Sequence, residues 1–281
     1  MKKTIFRDCS VIITGASSGI GRAVALALAD AGASLALAAR NGKRLEQVVQ
    51  QCIERGGQAI CIPTDVSSEE QCQTLIERTV AEYKQLDMLV SNAGMGQVSM
   101  LADLPNLSQF KQVIDVNFMG AVYCTYHALP HLVQSRGRIV AVSSLAGKIA
   151  LPGNTSYVAS KHALQGFCDA LRMEMALVGV SVTVISPYWV VTEFHEAMLD
   201  KKGTPRGKQG RAIYTRNMMT AERCAKIALE AAYKRRREVL MGPGRLLVWL
   251  KLISPGFLDW LSIKAILEPI IRRSQAGKIE A

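Results

Sequence analysis

The segment SVIITGASSGIG, positions 10–21, decides the fold of this chain. Its first half is a short, uninterrupted apolar run, which is typical of a strand buried on both faces of a parallel sheet. Its second half is a glycine-rich loop with the spacing G-x-x-x-G-x-G, and a helical pattern follows over 19–31. Gly15 permits a tight turn, while Gly19 and Gly21 are expected to let the backbone approach a pyrophosphate at the helix N-terminus. The loop residues predicted to bind a cofactor are Gly15, Ser17, Ser18, Gly19, Ile20 and Gly21.

Strand-like and helix-like segments alternate along the chain. Short apolar runs predict strands at 10–15, 34–39, 58–63, 86–92, 138–144, 180–186 and 238–241. Helical patterns occupy 19–31, 43–56, 68–84, 106–135, 157–178 and 220–236. This alternation predicts an α/β fold whose parallel strands are joined by right-handed crossovers. Two stretches do not follow it, an apparent insertion at 193–219 and the Leu-, Ile- and Trp-rich stretch 243–281.

The composition restricts the compartment and the class of partner. Seven cysteines, an odd number without a CxxC pair, predict a reducing, cytoplasmic location without a disulfide framework or a zinc knuckle. The net charge of +11 would suit an anionic membrane surface or a phosphorylated ligand. Nucleic-acid binding is not predicted, because the densest basic run, 234–237, carries no aromatic-interleaved motif. No uncharged apolar stretch is long enough to span a membrane.

Polar residues follow the second, third and fourth predicted strands, at the edge where such sheets bind dinucleotides. Arg40 ends the second strand, and a guanidinium there suits the 2′-phosphate of NADP(H); the alternative is an ordinary basic helix start. Asp65, followed by Val66, would accept from an adenine amine or cap the next helix. Asn92–Gly94 would let the backbone approach a cofactor ribose or would form a plain turn.

The sequence YVASK at 157–161 places a phenol and an ammonium four residues apart. In a helix, these side chains lie one turn apart on the same face. The ordinary pKa of tyrosine, about 10, is too high for acid–base work near neutrality. The Lys161 ammonium and a nicotinamide cation would favour the phenolate, so that Tyr157 could protonate an alkoxide or accept its proton. A core tyrosine beside a surface lysine is the alternative.

Five motifs in this order resemble the short-chain dehydrogenase/reductase superfamily: TGASSGIG, NAG, VNFMG, VSSLAG and YVASK. The resemblance covers residues 8–242. It implies a Rossmann-type, doubly wound α/β fold with a seven-stranded parallel sheet and a nicotinamide cofactor. Residues 1–242 would form this single domain, and 243–281 would add a helical extension.

The same resemblance implies a catalytic set. Tyr157 matches the general acid and base, and Lys161 matches its helper; both would also contact the cofactor. Ser144 matches the serine that holds the carbonyl oxygen, and Asn117 matches the asparagine that relays protons through water. A homodimer or homotetramer is implied as well, packed through the long helices.

One stretch departs from the family pattern. Where the family has PG after the sixth strand, this chain has SPYWVVTEF. Pro187, Val190 and Thr192 still fit contacts to the nicotinamide side, but Tyr188 replaces the glycine and would reshape the substrate mouth. The predicted pocket is apolar and is lined by Met95, Leu145, Leu151, Tyr188, Trp189 and Met198, with Ser144 and Tyr157 at the reacting carbonyl.

We therefore expect an NADP(H)-dependent oxidoreductase for a small apolar carbonyl or alcohol, such as a steroid, retinoid or lipid. The stretch VSSLAGKIALPG and the basic AAR look most similar to the hydroxysteroid dehydrogenase and membrane-associated reductase branch. A 3-ketosphinganine-type lipid reductase is an alternative, and a catalytically idle NADP-binding scaffold or regulator is another.

Two further features have less specific interpretations. His127 and His131 have metal-ligand spacing, but we expect a helix face near a subunit contact and no metal site. The stretch 245–271 predicts two short amphipathic helices separated by SPG. They would pack on the protein surface, cap the pocket, join subunits or lie in a membrane interface with Trp249 and Trp260 at headgroup level.

Overall fold

A computed structural model describes residues 5–211, 218–242 and 244–269, without the side chains of 209 and 211. Within these residues, seven parallel strands form one sheet in the order β3-β2-β1-β4-β5-β6-β9. The strands are β1 (Ser10–Thr14), β2 (Ser34–Ala39), β3 (Gln58–Pro63), β4 (Met88–Ser91), β5 (Arg138–Val142), β6 (Ser181–Ser186) and β9 (Glu238–Leu240). A small pair consists of β7 (Val190–Val191) and β8 (Met219–Thr220). The predicted α/β fold with a seven-stranded parallel sheet is confirmed.

Helices connect the strands and cover both faces of the sheet. They are α1 (Gly19–Ala29), α2 (Gly42–Glu54), α3 (Glu69–Tyr83), α4 (Ser108–Ile114), α5 (Gly120–Gln134), α6 (Thr155–Met175) and α9 (Ala221–Tyr233), with short turns α7 (Phe194–Ala197) and α8 (Lys208–Arg211). One apolar layer lies beneath α1, α2 and α9, and a second lies beneath α3, α5 and α6. The strand order reverses between β1 and β4, which is where doubly wound folds bind ligands at the carboxyl ends of their strands.

The long helix predicted over 106–135 is not continuous. A five-residue π-helical turn, Asp115–Met119, separates α4 from α5 and contains Asn117. A π-turn inserts one residue into the helical repeat, and such turns are frequent at functional sites. The predicted helical segment is nevertheless confirmed over 108–134, since the π-turn changes only the local winding, which apolar periodicity does not register.

The stretch that follows the sheet forms two short helices, as the sequence predicted. Helix α10 covers Gly244–Ile253, and α11 covers Pro255–Ser262, with Ser254 between them. A π-helical turn follows over Ile263–Leu267. Residues 270–281 of the predicted extension, and 212–217 of the predicted insertion, lie outside the described residues. Among the described residues, no helix combines the length and the apolarity that crossing a membrane requires.

Candidate functional site

The glycine-rich loop lies at the carboxyl end of β1 and leads directly into α1. Gly15 has a φ of 65°, and Gly19 has a φ of 54°, conformations that side-chain-bearing residues rarely adopt. Ser18 precedes α1, and in the described structure its side chain forms no capping hydrogen bond to that helix. The first N–H groups of α1 therefore keep their capacity to bind an anion.

The role expected for Gly21 is corrected by the structure. A Cβ at this position would lie 2.4 Å from the Gly15 carbonyl oxygen and 2.5 Å from Asn92 Nδ2. Its missing side chain therefore permits close packing of α1 against the protein's own turn, rather than approach to a pyrophosphate. Gly19 lies in the glycine-rich loop, and its approach to a pyrophosphate stays a prediction. A Cβ added to Gly19 would lie 3.2 Å from the Thr192 side chain. Ile20 packs against the core beneath α1.

The ends of β2 and β3 bring Arg40 and Asp65 together. Burial alone would raise the pKa of Asp65, but hydrogen bonds from Ser67 and the charge of Arg40 lower it below its usual value. Its Oδ1 atom accepts the Ser67 N–H at 3.0 Å and the Ser67 hydroxyl at 2.7 Å. The cap of α3 is Ser68, which accepts the N–H of Gln71, so Asp65 is not the helix cap.

The end of β4 is tied tightly to the glycine-rich loop. Asn92 Nδ2 donates to the carbonyl oxygens of Thr14 and Gly15, at 2.9 and 3.1 Å. The N–H groups of Asn92 and Ala93 both donate to the Thr14 hydroxyl at 3.0 Å. Gly94 is exposed at this edge. Because β1 and β4 are adjacent, these bonds fix the two backbone turns that face the crevice.

Asn117 is buried in the π-turn and bonds protein atoms on both sides. Its Oδ1 accepts the Met95 N–H at 2.7 Å, while its Nδ2 donates to the Met95 carbonyl and the Ser160 hydroxyl, each at 2.9 Å. The structure thus assigns Asn117 a positioning role, because its amide hydrogens bind the chain itself. A relay of protons through water stays a prediction.

The Ser144 hydroxyl lies close enough to Tyr157 to lower the pKa of the phenol. Ser144 follows β5 and its Oγ accepts the Ala146 N–H at 3.1 Å. Tyr157 lies in the first turn of α6, which begins at Thr155 rather than at 157. The strand end and the helix start therefore present two hydroxyl groups at one point.

Lys161 lies one turn after Tyr157, but it does not lower the pKa of the phenol as expected. Its Nζ donates to the Val142 carbonyl at 2.9 Å and lies 5.8 Å from the centre of the Tyr157 ring. Burial raises the pKa of Tyr157 to about 12, although the Ser144 hydrogen bond lowers it. Burial also lowers the pKa of Lys161 to about 8. The ligand-free chain therefore holds a neutral phenol, and the phenolate expected beside a bound nicotinamide cation stays a prediction.

The insertion covers Tyr157 from the outside. The Phe194 ring lies 5.7 Å from the Tyr157 ring, and Met198 is buried against Gly96. Backbone bonds fasten this cover, because Leu199 donates to the Gly96 carbonyl at 2.9 Å and its own carbonyl accepts the Val98 N–H at 2.8 Å. A substrate carbonyl that reaches Tyr157 must therefore pass beside this segment.

The residues that follow β6 contact both the segment after Ser144 and the glycine-rich loop. The Pro187 carbonyl accepts the N–H of Leu145 at 2.9 Å. Val190 is buried in β7, and Thr192 lies against Gly19, while their contacts to the nicotinamide side stay a prediction. Tyr188 is 39% exposed. Its ring carbons lie against Gly242, and its effect on the substrate mouth stays a prediction.

Helix α10 packs on the segment that follows Ser144. Leu145, Ile149 and Leu258 form a separate buried cluster, with Leu247 and Leu151 against it. An added Cβ at Gly244 would lie 2.7 Å from Leu145, and Lys251 donates to the Lys148 carbonyl at 2.7 Å. Leu145, predicted to contact substrate, is thus corrected to a packing residue beneath α10.

The sequence did not reveal an ion pair that crosses the outer side of the glycine-rich loop. Arg44 in α2 bonds Glu193, the residue after Thr192, with Nη2–oxygen distances of 2.8 and 2.7 Å. The two residues are 149 positions apart in the chain. The only signal in the sequence is that the stretch TEF carries an acidic residue and that the start of α2 is basic. Nothing in the sequence shows that these two distant stretches are neighbours.

The two histidines predicted on a helix face lie on α5. His127 Nε2 is 3.5 Å from Glu69 Oε1. No group of three or more potential metal ligands occurs among residues 5–211, 218–242 and 244–269.

These residues fit a nicotinamide dinucleotide. The glycine turn and the uncapped start of α1 suit its pyrophosphate, and Arg40 beside Asp65 suits the adenosine end. Asn92–Gly94 and Lys161 border the opposite end, where Ser144 and Tyr157 meet. All these groups lie along the carboxyl ends of adjacent strands. A bound nicotinamide dinucleotide would supply the hydride transfer.

Comparison with known proteins gives consistent results. A family model described as short chain dehydrogenase matches residues 10–203. The protein 11-beta-hydroxysteroid dehydrogenase 1A of Arabidopsis thaliana is 35% identical over 262 residues, which cover 89% of this chain and 73% of that protein. Dehydrogenase/reductase SDR family protein 7-like of Dictyostelium discoideum is 32% identical over 268 residues, covering 92% and 82%. The crystal structure of a short chain dehydrogenase/reductase from Burkholderia phymatum in complex with NAD has a TM-score of 0.81 at 27% identity, covering 88% and 94%.

Proposed function

The chain belongs to the short-chain dehydrogenase/reductase family, and on that basis we propose that it is an NADP(H)-dependent oxidoreductase. It interconverts a carbonyl and a secondary alcohol on an apolar substrate, with Tyr157 as the general acid and base. One observation carries the proposal: the juxtaposition of Ser144 and Tyr157 at the edge of the sheet that holds the glycine-rich loop.

The chain's own residues move the proton. Ser144 has its oxygen fixed by the Ala146 N–H, so its hydroxyl is held beside the phenol and can bond a substrate carbonyl. Tyr157 is protonated at neutral pH because its pKa is about 12, and it can therefore donate a proton to a forming alkoxide. Lys161, buried behind the phenol, is close enough to stabilise the phenolate once the proton has left.

The NADP(H) preference rests on the charge at the end of β2. Arg40 is exposed there, and a guanidinium bonds a phosphate with two parallel N–H groups. An acidic residue at this position would instead repel the 2′-phosphate. The Arabidopsis relative named above is a hydroxysteroid dehydrogenase, and this supports a steroid-like or lipid-like substrate.

The outer face of α10 and α11 supports peripheral association with a membrane. Apolar side chains on this face stay exposed: Leu246, Trp249, Leu252, Ile253, Phe257, Trp260, Leu261 and Ile263. Arg245, Lys251 and Lys264 are exposed among them, so the face combines apolar burial with attraction to anionic lipid. Because α10 also packs on the Ser144 segment, an apolar substrate would reach the site from that side.

We also propose that the chain forms a homodimer through α5 and α6, whose Tyr126 and Met173 are 67% and 72% exposed.

Turnover with a panel of carbonyl compounds tests the proposed function. Purified protein is mixed with NADPH or NADH and with steroid ketones, retinaldehyde, 3-ketosphinganine and a small polar ketone, and nucleotide absorbance is followed. We expect NADPH oxidation with an apolar ketone and a lower rate with NADH. A preference for 3-ketosphinganine would favour the lipid reductase alternative. Tight NADPH binding without turnover of any compound would favour the idle scaffold.

A further inference from the structure

A crevice of about 270 Å³ lies on the outer side of the glycine-rich loop. It is bounded by the loop, by the first turns of α1 and α2, and by the residue that follows Thr192. The residues that matter for its chemistry are Ser17, Ser18, Arg22, Arg44, Gln51 and Glu193. The crevice therefore adjoins the anion-binding start of α1 and contains two guanidinium groups and one carboxylate.

The two guanidinium groups have different partners. Arg22 donates from Nε and Nη2 to the neutral Gln51 Oε1, at 3.2 and 2.9 Å, and so it keeps its full charge in a fixed place. Arg44 donates instead to both oxygens of the Glu193 carboxylate, at 2.8 and 2.7 Å. An arriving phosphate would therefore compete with Glu193 for Arg44, but it would not compete with another anion for Arg22.

The position of Arg44 connects it to the predicted 2′-phosphate site. Its backbone N–H donates to Asn41 Oδ1 at 3.0 Å, in the turn that immediately follows Arg40. The Arg44 and Glu193 side chains are 46% and 55% exposed, and ion pairs as exposed as this one are easily exchanged. A phosphate group carries more charge than a carboxylate and offers three acceptor oxygens.

We propose that Arg44 is a second cation that reads the 2′-phosphate of NADP(H), and that Glu193 holds it in the ligand-free protein and competes with that phosphate. This inference rests on the proposed function. Glu193, which lies 149 positions after Arg44, would then affect the preference between NADPH and NADH without contacting the nicotinamide. Removing the Glu193 charge should therefore raise the affinity for NADPH more than the affinity for NADH.

Equilibrium binding of NADPH and NADH, measured by titration without substrate, tests the inference. Arg44→Gln should weaken NADPH on the order of tenfold and leave NADH within about twofold, because one charge-assisted contact is lost. Glu193→Gln should tighten NADPH about threefold or more and raise the ratio of NADPH to NADH affinity. The pair of Arg55 and Asp30 provides a matched control, since it lies at the other end of α2 with a 2.9 Å contact and 46% exposure of each side chain. Arg55→Gln and Asp30→Asn should leave the affinity ratio unchanged.

The outcomes separate this inference from the proposed function. If the wild-type protein binds neither nucleotide, the proposed function fails, and this inference fails with it. If the wild type prefers NADPH but Arg44→Gln leaves the affinity ratio unchanged, only this inference is overturned. If Glu193→Gln tightens both nucleotides equally, Glu193 repels the shared pyrophosphate and does not compete for Arg44, which also overturns the inference.

Discussion

The Ser144 hydroxyl lies beside the Tyr157 phenol and lowers its pKa, and the Ser144 oxygen accepts the Ala146 N–H at 3.1 Å. This contact places a hydroxyl donor next to a neutral phenol at the end of β5. A carbonyl oxygen bound there would meet both hydroxyl groups at once. The predictions below concern the two hydroxyls, the lysine behind them, the asparagine in the π-turn and the outer face of α10 and α11.

Ser144→Ala should lower kcat for carbonyl reduction by about 10²–10³-fold, because one donor to the developing oxyanion is lost. NADPH affinity should stay within about twofold of wild type, since this hydroxyl acts on the substrate. Steady-state kinetics and nucleotide titration measure the two quantities. Ser143→Ala is the matched control, because the Ser143 hydroxyl belongs to the neighbouring residue and accepts from Gln165 Nε2 at 3.3 Å. Equal losses in both variants would contradict the assignment.

The buried charge of Lys161 should make the stability of the ligand-free protein depend on pH. Burial lowers its pKa from 10.5 to about 8, so between these values the unfolded chain holds a proton that the folded chain has released. The unfolded state then binds more protons, and stability rises with pH through this window. Relative to a Lys161→Met variant, the free energy of unfolding should rise by roughly 3 kcal/mol from pH 8 to 10.5. Denaturant titrations at several pH values measure it, and parallel curves for the two proteins would refute the burial argument.

Asn117→Ala should destabilise the fold on the order of 3 kcal/mol, because three hydrogen bonds to Met95 and Ser160 lose their buried partner. Asn106→Ala is a suitable comparison, since its Oδ1 accepts the Ser108 N–H and hydroxyl at an exposed turn, and it should cost about 1 kcal/mol or less. Urea unfolding of both variants gives the difference. An Asn117→Ala protein as stable as wild type, yet inactive, would instead favour the predicted water relay.

The outer face of α10 and α11 should bind vesicles that contain phosphatidylserine. Point substitutions test this better than truncation, because removing α10 would expose the Leu145 cluster. Trp249→Glu combined with Trp260→Glu should abolish co-sedimentation, since apolar contact is replaced by repulsion from anionic lipid. Ile53→Glu combined with Leu107→Glu, at residues 48% and 65% exposed outside α10 and α11, should not. Equal sedimentation of both double variants would show that general charge, rather than this face, determines binding.

Much of the fold could be predicted because its cause is local. The uninterrupted apolar runs in β1, β2 and β6 correspond to strands that are almost fully buried. The glycine-rich loop could be placed because positive φ values at Gly15 and Gly19 require glycine. Tyr157 and Lys161 could be placed on one helix face because their spacing matches one helical turn.

The remaining features depend on contacts between distant parts of the chain. Asn117 in the π-turn is hydrogen-bonded to the backbone of Met95 and to Ser160. The local apolar periodicity of the sequence does not indicate these contacts. The pKa of Tyr157 is raised because burial outweighs the effect of its neighbours, and sequence spacing carries no measure of burial. The pairing of Arg44 with Glu193 joins residues 149 positions apart and followed only from the folded chain.

Substitution of Tyr157 by phenylalanine tests the central claim most directly. The variant keeps the ring that packs against Phe194 and removes only the hydroxyl that donates the proton. With NADPH and the best apolar ketone, kcat should fall by about 10²–10⁴-fold, while the NADPH dissociation constant stays within about twofold of wild type. Single-turnover NADPH oxidation, measured together with NADPH titration, gives both values. A Tyr157→Phe protein that retains wild-type turnover would contradict the assignment of Tyr157 as the general acid.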